Sequence, residues 1–318
     1  MRKLIILSII SLILPGCSDS INGELIFVEP SIENGFEFPY FLFIPDQASQ
    51  TEKAYVIVEP NNTGFGSDDL KEHAEKAKRT ASLDYYLGNY LSQNLLYPLV
   101  VPVFPRPKSE WKIYTHALDR DAMLQKDNAL ERLDNQLIEM FKDAQSRLKE
   151  KAIQTHNQFL LTGFSASGTF ANRFTLIHPD RVFAVAAGGL NGLLMLPLDS
   201  MDNEVLNYPV GTNDLEILSN KLFEDELFLN TPQFYFMGQL DDNDALPYDD
   251  AFDQDEREQI FRLLGRQMLD ERWNNCMQVY KDQNVNVTFS TYEEVGHKHP
   301  EIIKKDIVNF FKESIKQN

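Results

Sequence analysis

Cysteine is almost missing: Cys17 and Cys276 are the only two in 318 residues. A framework of disulfides is thereby excluded, and the fold must rest on its core. Positive charge is also scarce, with 30 Lys and Arg against 48 Asp and Glu and a formal charge of −18. No basic stripe is there to neutralise phosphates, which argues against a nucleic-acid partner. Gly64 and Gly66 do not form a phosphate-binding pattern. No internal repeat, low-complexity tract or Gly/Ser linker divides the chain, so one domain is expected. Apolar residues make up 43%, enough for a sizeable core.

The first residues read as an export segment: Arg2 and Lys3, the apolar run 4–14 (LIILSIISLIL), then Pro15, Gly16 and Cys17. The run is too short to span a bilayer comfortably. LPGC resembles the lipobox of bacterial lipoproteins, with Leu14, Gly16 and Cys17 fitting and Pro15 unusual in its slot. That resemblance implies a signal over 1–16, a mature chain starting at a lipidated Cys17, and a membrane partner reached through lipid. An ordinary secretion signal or an uncleaved anchor shares the same start. An N-terminal segment over 17–37 then leads into the main domain, 38–318.

Runs of strand length lie at 38–44, 54–58, 97–104, 158–162, 182–187, 233–237 and 285–292, several without polar alternation. Helical patterns fall between them at 68–92, 121–152, 166–178, 253–282 and 300–316. The alternation predicts an α/β fold, a mostly parallel sheet covered by helices on both faces. The first two runs have no helix between them and suit an antiparallel hairpin. Residues 190–230 break the rhythm and read as an excursion over the strand ends, a small cap. Cys276, in RWNNCMQVY, reads as a small residue buried on a helix.

The stretch FLLTGFSASGTF (159–170) passes from a buried strand through a tight turn into a helix. A nucleophile on such a turn needs small residues two before and two after it. Ser165 has Gly163 and Ser167; Ser167 would have Ser165 and Thr169, a poorer set. Ser165 is therefore the candidate, the plain alternative being a helix start capped by serine. A serine needs a base, and the base an orienting acid, in the chain order Ser, Asp or Glu, His. QLDDNDALPYDD follows the 233–237 run and EEVGHKHP the last one, both at strand carboxyl ends where parallel sheets carry their sites. Asp241, Asp242 and Asp244 share the first turn. Read as a calcium loop, that turn lacks the oxygen ligand at position five and the glycine at position six, so no metal is assigned.

Here the residues resemble a family. GFSASG, GQLDDNDALPY and GHKHP look like the elbow, the G-x-x-D acid turn and the G-H turn of α/β-hydrolases, more narrowly of secreted bacterial esterases of the polyhydroxyalkanoate-depolymerase and feruloyl-esterase type. The resemblance covers most of 38–316 and implies the α/β-hydrolase fold, an ester substrate, small or polymeric, and no cofactor. Carried over residue by residue, Ser165 becomes the nucleophile, Asp241 the acid, with Asp244 as alternate, and His297 the base. Ser167 stands where the family usually has Gly. His299, before Pro300, reads as a surface residue, and His116 in WKIYTHALDRD as a lining of the cleft. An oxyanion hole needs two N–H groups: Ala166 follows the nucleophile, and Asn62, with Thr63 as alternate, lies in EPNNTGFG after the 54–58 run. Two rival readings use the same chain: a non-catalytic tethered binding protein on this fold, and a serine peptidase.

Protein recovered from bacterial cells is expected to partition into detergent, and Cys17→Ser to stop maturation. Mass spectrometry of an unmodified N-terminus in a soluble extracellular product contradicts the lipid anchor.

Overall fold

The apolar runs become strands, most of them buried along their whole length, in the computed structural model, which describes residues 22–48 and 52–317. The export segment and Cys17 lie outside the described residues. The strands are β1 (Gly23–Val28), β2 (Tyr40–Pro45), β3 (Ile57–Val58), β4 (Leu99–Pro102), β5 (Phe159–Phe164), β6 (Val182–Gly188), β7 (Ser200–Met201), β8 (Glu204–Val205), β9 (Gln233–Gly238) and β10 (Val287–Tyr292). Eight of them form one sheet in the order β1-β2-β4-β3-β5-β6-β9-β10; β7 and β8 pair by themselves. β1 and β2 run antiparallel to their neighbours, and the other pairings in the sheet are parallel.

The expected hairpin of the first two runs does not form. β2 lies antiparallel between β1 and β4, with Tyr40 opposite Pro102 and Phe43 opposite Leu99. β3 instead enters the sheet between β4 and β5. Val56, Ile57 and Val58 are fully buried, and a run apolar on both faces belongs inside a sheet, not on its edge. The edge is taken by β1, supplied by the N-terminal segment, where Phe27 packs on Phe41 with ring centroids 5.0 Å apart.

Among the described residues ten α-helices accompany the sheet: α1 (Leu70–Ser82), α2 (Leu87–Leu95), α3 (Arg120–Met123), α4 (Leu133–Glu150), α5 (Ala166–Ile177), α6 (Leu215–Ser219), α7 (Asp225–Asn230), α8 (Gln254–Leu263), α9 (Asn274–Asp282) and α10 (Glu301–Lys316). The long pattern 68–92 divides into α1 and α2. The Asp69 carboxylate caps the start of α1 through the Lys71 amide, 3.0 Å. The Asn89 amide closes its end by donating to the Ala81 carbonyl, 2.7 Å. The pattern 253–282 divides likewise, with a π-helical turn at Met268–Trp273 between α8 and α9.

Successive strand residues point to opposite faces. Leu42, Val58 and Leu161 pack with Phe141, Phe170, Phe174 and Tyr280 of α4, α5 and α9. Phe41, Ile57 and Leu160 pack with Leu87, Leu91, Ile307 and Phe311 of α2 and α10. The excursion 190–230 joins the first of these cores: Leu194, Leu196, Leu206 and Tyr208 are fully buried in it. Asn172 of α5 stitches it down, accepting from the Met195 amide at 2.9 Å and donating to Tyr235 and Tyr280 at 3.0 and 2.9 Å. Cys276 is buried on α9, and burial pushes its thiol up to about 12.

The topology leaves a crevice. From β3 the chain proceeds to β4 on one side, and from β5 to β6 on the other. Their loops diverge at the carboxyl edge, the place where such sheets hold ligands. At the end of β3 the buried Glu59 carboxyl accepts from the Gly88 amide at 2.6 Å, tying α2 to that edge.

Burial raises the Glu59 carboxyl from 4.5 to about 8. A carboxyl raised by folding stabilises fully below its unfolded value, and that contribution is lost as pH rises through the folded one. Glu59→Gln, which mimics the protonated form, should flatten the fall in thermal stability between about pH 5 and pH 9 and exceed wild-type Tm at the upper end. Parallel Tm profiles for the two proteins contradict a buried neutral Glu59.

Candidate active site

Ser165 sits between β5 and α5 with φ 62° and ψ −128°, in left-handed territory that non-glycine residues rarely occupy. The passage of α5 over β5 explains why the strain is held. A methyl group on Gly163 would lie 2.3 Å from the Ser167 carbonyl oxygen, so only glycine fits there. Ser167 takes up its extra atoms by turning inward: its hydroxyl donates to the Phe164 carbonyl at 2.9 Å and accepts from the Phe164 amide at 3.0 Å. The two serines therefore differ in kind. Ser167 is 2% exposed with its hydroxyl engaged, whereas Ser165 is half-buried and makes no capping bond to the helix it precedes. Its amide is fixed on the Gly188 carbonyl at 2.9 Å. Ala166 opens α5, where amides have no acceptor within the helix.

Asp241 and His297 come together across 56 residues. The imidazole Nδ1 lies 3.1 and 3.0 Å from the two Asp241 oxygens, and the Asp241 side chain is 1% exposed against 25% for His297. An Nδ1–H donated to the carboxylate leaves Nε2 as the acceptor, and the Asn243 amide group faces Nε2 at 3.4 Å. Gly238 allows the approach, because a methyl there would meet the Val295 oxygen at 2.3 Å. Backbone bonds from Gln239 to Tyr292 and from Leu240 to Val295 lock the acid turn to the histidine loop. Phe164, next to Ser165, holds its ring 4.6 Å from the imidazole, and a methyl on Gly189 would lie 3.0 Å from His297 Cε1. His297 thus stands beside the Ser165 turn.

Asp244 has a different partner. Its carboxylate accepts from Arg272 Nη2 at 2.6 Å and from the Leu246 amide at 3.1 Å, and the Arg272 side chain is fully buried. Among the described residues no group of three His, Cys, Asp or Glu is placed to hold a metal ion. His299 is not free on the surface. It packs edge-on against Phe164 at 5.0 Å and beside Tyr85 at 5.6 Å, and burial lowers its pKa to about 4.

In the loop after β3, Asn62 is half-buried and its side chain accepts from the Gly64 amide, 3.1 Å. The Thr63 hydroxyl is 2.6 Å from His73 Nδ1. His116 does not line the cleft. It is 1% exposed, behind this loop, with Nε2 2.9 Å from the Phe104 carbonyl. Sequence spacing could not show this, because the partner is a backbone carbonyl on another segment.

The two acids should separate by experiment. Asp244→Asn should lower stability by about 3 kcal/mol, the low end for removing one partner of a buried ion pair, and leave the Asp241–His297 pair intact. Asp241→Asn should cost less stability, and chemical denaturation of both variants measures the difference. The reverse ranking contradicts the division of roles between the two carboxylates.

No family model matches the chain, and no curated protein matches it in sequence. Solved structures do match in fold. Poly(aspartic acid) hydrolase-1 from Sphingomonas sp. KT-1 is 14% identical, with 93% of this chain and 97% of that one covered and a TM-score of 0.56. An S-formylglutathione hydrolase from Agrobacterium tumefaciens is 12% identical, with 93% and 96% covered and a TM-score of 0.50. With the strand order and the turn at Ser165, these likenesses give the chain the α/β-hydrolase fold.

Proposed function

We propose that this protein is a serine hydrolase of carboxylic esters. The observation that carries the reading is a half-buried serine on a left-handed turn beside a histidine whose Nδ1 is held by a buried carboxylate. In this reading His297 Nε2 takes the Ser165 hydroxyl proton as Oγ attacks the ester carbonyl. The carbonyl oxygen becomes an oxyanion held by the Ala166 and Asn62 amides. Collapse breaks the ester C–O bond, and His297 returns the proton to the leaving alcohol. A water, deprotonated by the same nitrogen, then releases the acid and regenerates Ser165. Asp241 holds the imidazole tautomer and offsets its transient charge.

The solved structures of like fold include proteins named as hydrolases, which supports the class but not the substrate. Charge speaks to the substrate. A chain with a formal charge of −18, carrying exposed Asp242 and Asp249 on the turn beyond β9, repels anionic polymers at long range; a neutral ester suits it better. Export and lipidation at Cys17 belong to the same proposal and place the hydrolysis at a membrane surface.

Purified protein is expected to hydrolyse neutral short-acyl esters in a steady-state assay. Ser165→Ala should abolish the activity, and Asp241→Asn should lower kcat by about 10⁴, the scale for losing the correct imidazole tautomer. Small and equal effects of both changes contradict catalysis and favour a binding protein on the same fold. Amide turnover exceeding ester turnover favours the peptidase.

A further inference from the structure

The amide assigned to the oxyanion from the far side of the crevice sits on a loop with little sheet beneath it. β3 is two residues long, and after the Glu59 amide bonds the Val100 carbonyl at 3.1 Å the chain leaves β4. Donors that stabilise a transition state must be fixed before the charge develops. The loop needs some other support.

Asn61 supplies it. Its side-chain Nδ2 donates to the Phe104 carbonyl at 2.9 Å, and its Oδ1 accepts from the Phe104 amide at 3.0 Å. The side chain thus pairs with both backbone groups of one residue, as a peptide unit of a neighbouring strand would. Asn61 is 1% exposed, so water does not compete for these bonds.

His116 completes the clamp. Its Nε2 lies 2.9 Å from the same Phe104 oxygen, and a carbonyl has two lone pairs to offer. Nε2 therefore carries the hydrogen. Asn61 Nδ2 lies 3.2 Å from Nε2, as both nitrogens converge on that one oxygen; the other tautomer would set the Nε2 lone pair against the carbonyl's and leave a buried Nδ1–H without an acceptor, since Nδ1 has no partner among the described residues. A second pin holds the far end of the loop. His73 Nδ1 lies 2.6 Å from the Thr63 hydroxyl, and its Nε2 sits between the Ser67 carbonyl at 3.0 Å and the Arg106 amide at 3.3 Å. The two histidine rings meet edge to face at 5.5 Å. Asn62 is held between a clamped residue on one side and a pinned one on the other.

Resting on the hydrolase reading above, we propose that Asn61 and His116 are positioning residues that hold the Asn62 amide where the oxyanion of the reaction forms. Burying this many polar groups gains little stability over apolar packing of the same shape. What it does give is one fixed backbone path. The clamp acts on the transition state and leaves ground-state binding of the ester alone.

The test is kinetic, on the full-length protein. Asn61→Ala should lower kcat for a neutral ester by about 10²-fold, the scale for losing one oxyanion donor, with KM within about 3-fold of wild type. Affinity for a trifluoromethyl ketone, whose hemiketal oxygen mimics the oxyanion, should fall in parallel. His116→Phe, which fills the same space without the Nε2–H, should lower kcat by about 10-fold, and His116→Gln, which can still donate, should recover part of that loss. His116→Phe also keeps the question open to test if Asn61→Ala does not fold. An active wild type with a folded Asn61→Ala or His116→Phe variant of unchanged kcat overturns the positioning role alone. A wild type that hydrolyses no ester and binds no ketone overturns the hydrolase reading and this inference with it.

Discussion

Close passage of α5 across the ends of β5 and β6 is the constraint from which the site follows. The helix comes so near that a methyl on Gly163 would strike the Ser167 carbonyl, and one on Gly168 would fall 2.6 Å from the Gly188 carbonyl. A chain leaving β5 at that distance has no room for an ordinary turn, and Ser165 absorbs the reversal with φ at 62°. Strain of this kind persists only where surrounding structure over-determines it. Here the Ser167 hydroxyl fastens Phe164, and the Gly188 carbonyl fastens the amide of Ser165 itself.

The second feature is a division of labour among carboxylates that the sequence places together. Asp241 and Asp244 are three residues apart, yet one faces an imidazole and the other a buried guanidinium. Each charge meets a partner suited to it, which is how carboxylates tolerate burial. Asp244 ties the turn to Arg272 of the π-helical segment, and Asp241, buried, holds the imidazole of His297. Packing and chemistry therefore draw on adjacent residues of one loop without competing for them.

Much of the fold was legible because its signals are local. Buried strands announce themselves as apolar runs, and the elbow at Ser165 needs small residues at fixed offsets, both readable within a dozen positions. Pairing was harder. The runs at 38–44 and 54–58 carry no mark of which strand each will join, so β3's place inside the sheet was hidden. β1 escaped notice because an edge strand half open to water has a weak apolar pattern. In the site, the choice between Asp241 and Asp244 turns on Arg272, 28 residues downstream of the latter. His116 was misjudged because its partner, the Phe104 carbonyl, leaves no trace in side-chain identity.

The central claim is that this geometry makes Ser165, and no other serine, a nucleophile. Labelling purified protein with a fluorophosphonate and mapping the adduct by peptide mass spectrometry tests it directly. The account predicts a single adduct on Ser165, absent from His297→Ala protein over the same exposure and unaffected by Ser167→Ala. An adduct on Ser167, or well-folded protein that takes no label, contradicts it.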